Sequence, residues 1–185
     1  MRGLLGFLPW IVYGFVATGD EWRWGAITGL VVALVLVAVD RRSGRSWDMM
    51  VIETSAVVFF ALLTALSLLD PGSPLTPYGP ALVDVWLAGT AWGSLAIRRP
   101  FTLGIARATT PEKVWRTPAF HRANVIISGV WAAAFTVAAL ALTLVLSVSL
   151  HATTLVITIK VLSFVAPAVF TAWYPGHLRR RALAR

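Results

Sequence analysis

The chain has 185 residues, of which 58% are hydrophobic and 13% charged, and a mean hydropathy of +0.77. A single water-soluble core cannot enclose that much apolar surface, so composition alone indicates a polytopic membrane protein. The net charge of +8 is divided among short segments between apolar runs, a pattern of membrane topology and not of nucleic-acid binding. Cysteine is absent, which excludes disulfides, thiolate metal sites and cysteine nucleophiles, and His121, His151 and His177 lie far apart without ligand spacing. Neither a metal nor a cofactor is expected.

Six apolar segments are predicted in chain order. The first covers residues 3–17, with Pro9 near its middle, where the lost backbone donor predicts a kink. Arg2 ahead of this run and Ala17-Thr18-Gly19 after it also fit a cleavable signal; we expect a retained helix, in which Trp10 finds a partner for its indole N–H on another helix. Thr18-Gly19-Asp20-Glu21-Trp22-Arg23 is polar and carries a tryptophan, as an interfacial link should. The second segment, 24–39, holds Gly25, Gly29 and Ala33 at small-xxx-small spacing, which lets a neighbouring backbone approach.

The turn from Asp40 to Asp48 is basic, and the third segment, 49–69, carries Glu53 about one turn inside it. A glutamate so placed reaches water or pairs with Arg41, Arg45, Arg98 or Arg99. The next loop, Asp70 to Pro80, contains four prolines and no lysine or arginine, which marks it as rigid and extracytoplasmic. The fourth segment, 81–97, begins beside Pro80, bears Asp84 one turn in, and repeats the small-residue spacing at Gly89 and Gly93.

The longest polar stretch, Arg98 to Arg122, predicts a short interfacial helix. Thr109 and Glu112 fit a capping box and Pro111 suits a first turn, with Trp115 and the basic residues at the headgroups. Arg98, Arg99, Arg116 and Arg122 are the expected lipid headgroup contacts. The fifth segment, 123–148, has Asn124 and Ser128 near its start and Trp131 with Phe135 on one stripe. The sixth, 153–174, carries Lys160 roughly 10 Å from its start at 1.5 Å per residue. An ammonium there costs about 2.5–3.5 kcal/mol on insertion scales. An acidic partner, a water-filled cavity, a bound ligand or a stem reaching to the outer headgroups would each offset that cost.

With both termini cytoplasmic, fourteen of the sixteen basic residues fall on one side; Arg23 lies outside and Lys160 within the membrane. Asp84 and Lys160 then enter from the same face, which makes them the expected intramembrane polar pair. Glu53, Trp10, Asn124 and Trp131 are secondary candidates. No internal repeat of the transporter kind is visible.

Several short motifs resemble the intracellular septation protein A family of small bacterial inner-membrane proteins. They are Phe7-Leu8-Pro9, Thr64-Ala65-Leu66-Ser67-Leu68-Leu69-Asp70, Arg98-Arg99-Pro100-Phe101, Val114-Trp115, Trp131 with Phe135, and Lys160, in order over nearly the whole chain. Where that family has a leucine-asparagine pair ahead of the fifth-helix tryptophan, this chain has Ser128-Gly129-Val130. The resemblance implies a multi-pass inner-membrane protein serving envelope upkeep or septation through other membrane proteins, with no catalytic residues to carry over.

Three function classes follow. The first is non-enzymatic support of envelope or division complexes, with membrane lipids and other membrane proteins as partners. The second is a small carrier, channel or lipid-handling protein, with Lys160 and Asp84 lining a polar pocket and Pro9 and Pro167 as hinges. The third, an enzyme, lacks paired carboxylates, a serine-histidine arrangement or clustered histidines, although Trp10, Trp86, Trp92 and Trp131 could surround a cofactor. The small-residue faces serve contacts within one chain as readily as a homo-oligomer.

Overall fold

Apolar runs that cannot rely on water must close their backbone hydrogen bonds within the segment, and helices do so. The computed structural model describes residues 2–16, 22–150 and 152–183, and every secondary-structure element among them is helical. The elements are α1 (Leu8–Val16), α2 (Trp22–Arg42), α3 (Val51–Leu69), α4 (Gly79–Ala96), α5 (Thr102–Arg107), α6 (Pro118–Val148) and α7 (Thr153–Leu183). Short 3-10 turns precede α1, α3 and α4, and one lies at Glu112–Val114. Four helices are long and apolar enough to cross a bilayer: Trp22–Arg42, Val51–Leu69, Pro118–Val148 and Thr153–Leu178. The other two predicted segments correspond to α1 and α4, the first short and the second diluted by Asp84, Gly89, Thr90, Gly93 and Ser94.

Several expectations need correction. Pro9 does not kink a helix at mid-length. It is the second residue of α1, immediately after the 3-10 stretch Arg2–Phe7, a first-turn position that suits the fixed φ of proline. Trp22 is not in an interfacial link but is a buried residue in the first turn of α2, which also takes in Arg23; residues 18–21 of that link and His151 lie outside the described residues. The short helix between α4 and α6 forms at Thr102–Arg107, upstream of the predicted one. Thr109 caps nothing, its hydroxyl donating back to the Ala106 carbonyl, and Glu112–Val114 makes only one 3-10 turn. The cap belongs to α6 instead, where the Thr117 hydroxyl accepts the Phe120 N–H at 3.3 Å and Pro118 follows. Finally, α7 runs on through Pro167 and Pro175 to Leu183, well past Tyr174.

The core lies where the 3-10 stretch Arg2–Phe7 and the first turn of α1 meet the aromatic rings of α3, α6 and α7. Phe7 stacks on Trp131 with ring centroids 5.0 Å apart, and Phe164 of α7 packs edge-on to Phe7 at 5.6 Å. Trp10 lies 5.0 Å from both Phe59 and Phe60 of α3. Gly29 is the close approach that lets α2 join: a Cβ there would come within 2.7 Å of the Phe60 ring. α6 then packs along α4 on one side and α7 on the other.

The two ends of the bundle differ in chemistry. At one end, α5 sits on the turn Trp47–Met49 so closely that a Cβ on Gly104 would lie 2.6 Å from the Met49 carbonyl oxygen. Arg107 reaches Asp48 at 3.1 Å, and Arg41 lies over Trp47 at 4.7 Å. The basic α2–α3 turn and the basic α4–α6 link therefore meet. At the other end, Tyr78, Ala81, Leu142, Leu146 and Val156 form an apolar cluster, and the Tyr13 hydroxyl lies against Gly79.

Candidate functional site in the seam between α4 and α7

Helical spacing turns Val83, Asp84, Leu87 and Ala91 of α4 inward, and all four are buried. Asp84 has no exposed side-chain surface, and Lys160 of α7 meets it with its Nζ 2.9 Å from Oδ2. The lysine keeps a fifth of its side-chain surface exposed and passes 5.7 Å from the Phe164 ring. Of the four ways to accommodate a lysine at that depth, the structure displays the acidic partner. One turn on, the Ser163 hydroxyl donates to the Lys160 carbonyl at 2.8 Å and is also buried.

The pair is chemically asymmetric. Oδ2 accepts the ammonium, whereas Oδ1 is buried and has no hydrogen-bond donor among the described residues. A carboxylate oxygen in that position is a ready acceptor for a proton or for a ligand hydroxyl or amine, because a buried lone pair without a donor costs about 1–3 kcal/mol. Beside this seam an open apolar groove runs between α6 and α7, lined by Ala133, Val137, Ala141, Leu162, Ser163 and Ala166 among others.

Glu53 occupies a separate site. Its Oε1 lies 3.3 Å from Arg45 Nη1, which also pairs with Asp40, while Arg45 Nη2 donates to the Met49 carbonyl at 2.9 Å. Of the four arginines considered for Glu53, Arg45 is thus the partner. The N-terminal 3-10 stretch closes over this carboxylate, since a Cβ on Gly6 would lie 3.0 Å from Glu53 Oε1. Glu53 and Asp84 do not form a catalytic dyad, because each has its own cation on a different element.

The remaining candidates are engaged in packing. Asn124 is buried, and its side-chain amide donates to the Phe120 carbonyl of its own helix. Trp131 donates from Nε1 to Thr171 Oγ1 at 2.9 Å, Trp86 to Ser55 at 2.8 Å and Trp92 to Thr136 at 3.0 Å, each to a hydroxyl on another helix. Trp10 departs from expectation: its buried indole nitrogen has no hydrogen-bond partner among the described residues, because the facing positions on α3 are the rings of Phe59 and Phe60. The four tryptophans do not converge on one cofactor pocket. Arg98, Arg99, Arg116 and Arg122 are all exposed.

Sequence reasoning missed Ser163 and Thr171. The spacing of Ser163 from Lys160, three positions along a helix, would have placed it on the same face; Thr171 gave no comparable signal. Compared with known proteins, the chain matches no family model, no curated protein and no solved structure.

Proposed function

We propose that this chain is a six-span integral membrane protein of the bacterial inner membrane, with both termini cytoplasmic. It supports cell-envelope maintenance or septation without enzymatic chemistry, as the resemblance to the septation protein A family implies. Helix lengths favour six spans. α4, of 18 residues, is about 27 Å long, and α1 with its 3-10 lead-in reaches roughly 25 Å, near the ~30 Å of a hydrocarbon core. The meeting of the basic turn and the basic link at one end of the bundle favours a cytoplasmic location for that end. The observation that carries the non-enzymatic reading is the closed ion pair of Asp84 and Lys160, which ties two helices 76 positions apart in sequence. Deleting the protein should alter cell shape, septum placement or tolerance of envelope stress. Wild-type behaviour in all three would remove the reading's main support.

The unpartnered Oδ1 of Asp84 favours a second reading, a small transporter, channel or lipid-handling protein working through this polar pair. Under it, Asp84→Asn combined with Lys160→Met abolishes flux or ligand binding in a protein that still folds. Full activity in the double variant would leave the pair purely structural.

A further inference from the structure

The outward face of α4 ends in two arginines, and we propose that this end binds the phosphate of an anionic phospholipid whose acyl chain lies along the open glycine track of the same helix. The first observation is backbone strain. Arg98 has φ 58°, in the left-handed region that residues with a Cβ rarely occupy. The equivalent cap at the end of α2 uses Gly44, with φ 78°. The hydrogen bonds are the same in both: Gly44 N–H to Arg41 and Arg45 N–H to Asp40, Arg98 N–H to Leu95 and Arg99 N–H to Ser94. A cation favours any helix C-terminus, but Ile97 one position earlier could supply that charge without strain. A guanidinium held where glycine would relax the chain points to a use for the side chain.

The second observation is that the two guanidiniums are displayed from a fixed backbone. Pro100 and Phe101 are buried, the Ser94 hydroxyl accepts the Phe101 N–H at 3.2 Å, and Thr102 bonds to Asn124 and Ser128 of α6. Both arginines are exposed, and the ion pairs among the described residues involve Arg45, Arg107 and Lys160 instead. Asp48, the acid that feels Arg99, is already held by Arg107.

The third is the surface leading to them. Val85, Gly89, Trp92, Gly93 and Ile97 form an exposed apolar face, and a Cβ at either glycine would meet nothing within 4 Å. Ile97, 68% exposed, stands next to Arg98, so the apolar track passes directly into positive charge, as the acyl region of a lipid passes into its phosphate. Charge selects this occupant over a second copy of the chain. A symmetric parallel pair along the glycines would bring like charges together at the end of the track, whereas a phosphate neutralises them.

The inference rests on the membrane-spanning reading but not on the envelope role. Full-length protein in nanodiscs of equal phosphatidylglycerol and phosphatidylcholine, with identical chains, is released and the retained lipids are counted by native mass spectrometry. Wild type should retain phosphatidylglycerol preferentially. Arg98→Gly should reduce that preference roughly fivefold while its thermal midpoint holds or rises, and Arg99→Gln should reduce it similarly without relieving strain. Gly93→Leu should lower retention of both lipids. Undiminished preference in both arginine variants overturns the proposal. So does displacement of the lipid by free glycerol 3-phosphate, which indicates a soluble-phosphate site, or a Gly93→Leu variant that changes oligomeric state with lipid retention intact. A chain that fails to insert into the nanodisc overturns the membrane reading itself.

Discussion

Asp84 and Glu53 are both buried carboxylates paired with a cation, yet they are built differently. Glu53 shares Arg45 with Asp40 and the Met49 carbonyl, and that guanidinium comes from the adjoining turn eight residues away. Among the described residues Asp84 has one cation, Lys160, brought from the last helix with the Ser163 hydroxyl beside it, and Lys160 donates to no other acceptor. A local, multiply bonded arginine makes a forgiving site, since losing one contact leaves the others. A single long-range lysine makes an all-or-none site, in which removing either partner strands a charge among apolar side chains.

Removing the lysine should therefore produce the largest effect. Lys160→Met leaves Asp84 buried without its counter-charge, a situation that costs about 3–5 kcal/mol where it has been measured. Chemical unfolding of the purified protein should show a loss of that order, and a loss below about 1 kcal/mol would erase the contrast. Adding Asp84→Leu to Lys160→Met should recover most of the stability, because apolar replacement of a whole buried pair is often neutral or stabilising. The coupling measured in that cycle separates a true pair from two independent packing defects.

At the other site, Glu53→Gln should cost only about 1 kcal/mol, because Arg45 retains Asp40 and the Met49 carbonyl. A loss as large as that of Lys160→Met would show the two sites to be equivalent after all. The smallest effect belongs to the exposed end of the same network. A hydrogen bond from Ser46, with Arg107 and Arg99 nearby, holds the Asp48 carboxyl below its usual value. A depressed folded-state value means stability present above the unfolded value of about 3.9 and lost as pH falls through the folded one. With its side chain 47% exposed, Asp48 contributes little. Asp48→Asn should lower the unfolding midpoint slightly at neutral pH and leave it unchanged at acid pH below the folded value, which flattens the acid limb.

Two glycine pairs show how far local pattern reads. Gly25 and Gly29 of α2 and Gly89 and Gly93 of α4 have the same spacing, and both predict a packing face. The first pair is buried, with Gly29 against Phe60, while the second is exposed, with open space before it. Spacing states that a close approach is allowed; the neighbouring helix decides whether one occurs. The interfacial helix teaches the same point. Thr109 and Glu112 satisfy a local capping rule, yet α5 forms upstream, where Gly104 can press onto Met49 and Thr102 can bond to α6.

The helical class and the approximate extent of the apolar segments were determined by the sequence itself, because backbone groups in apolar surroundings have no other way to be satisfied. So was the need for Lys160 to find company, since the desolvation of an ammonium is a property of its position in an apolar run. Tertiary structure alone decided which partner it found, which glycine face was used, and that Trp10 would lie among rings without an acceptor. These outcomes depend on how helices distant in sequence dock, and docking is governed by the shapes of facing surfaces, which no single segment contains.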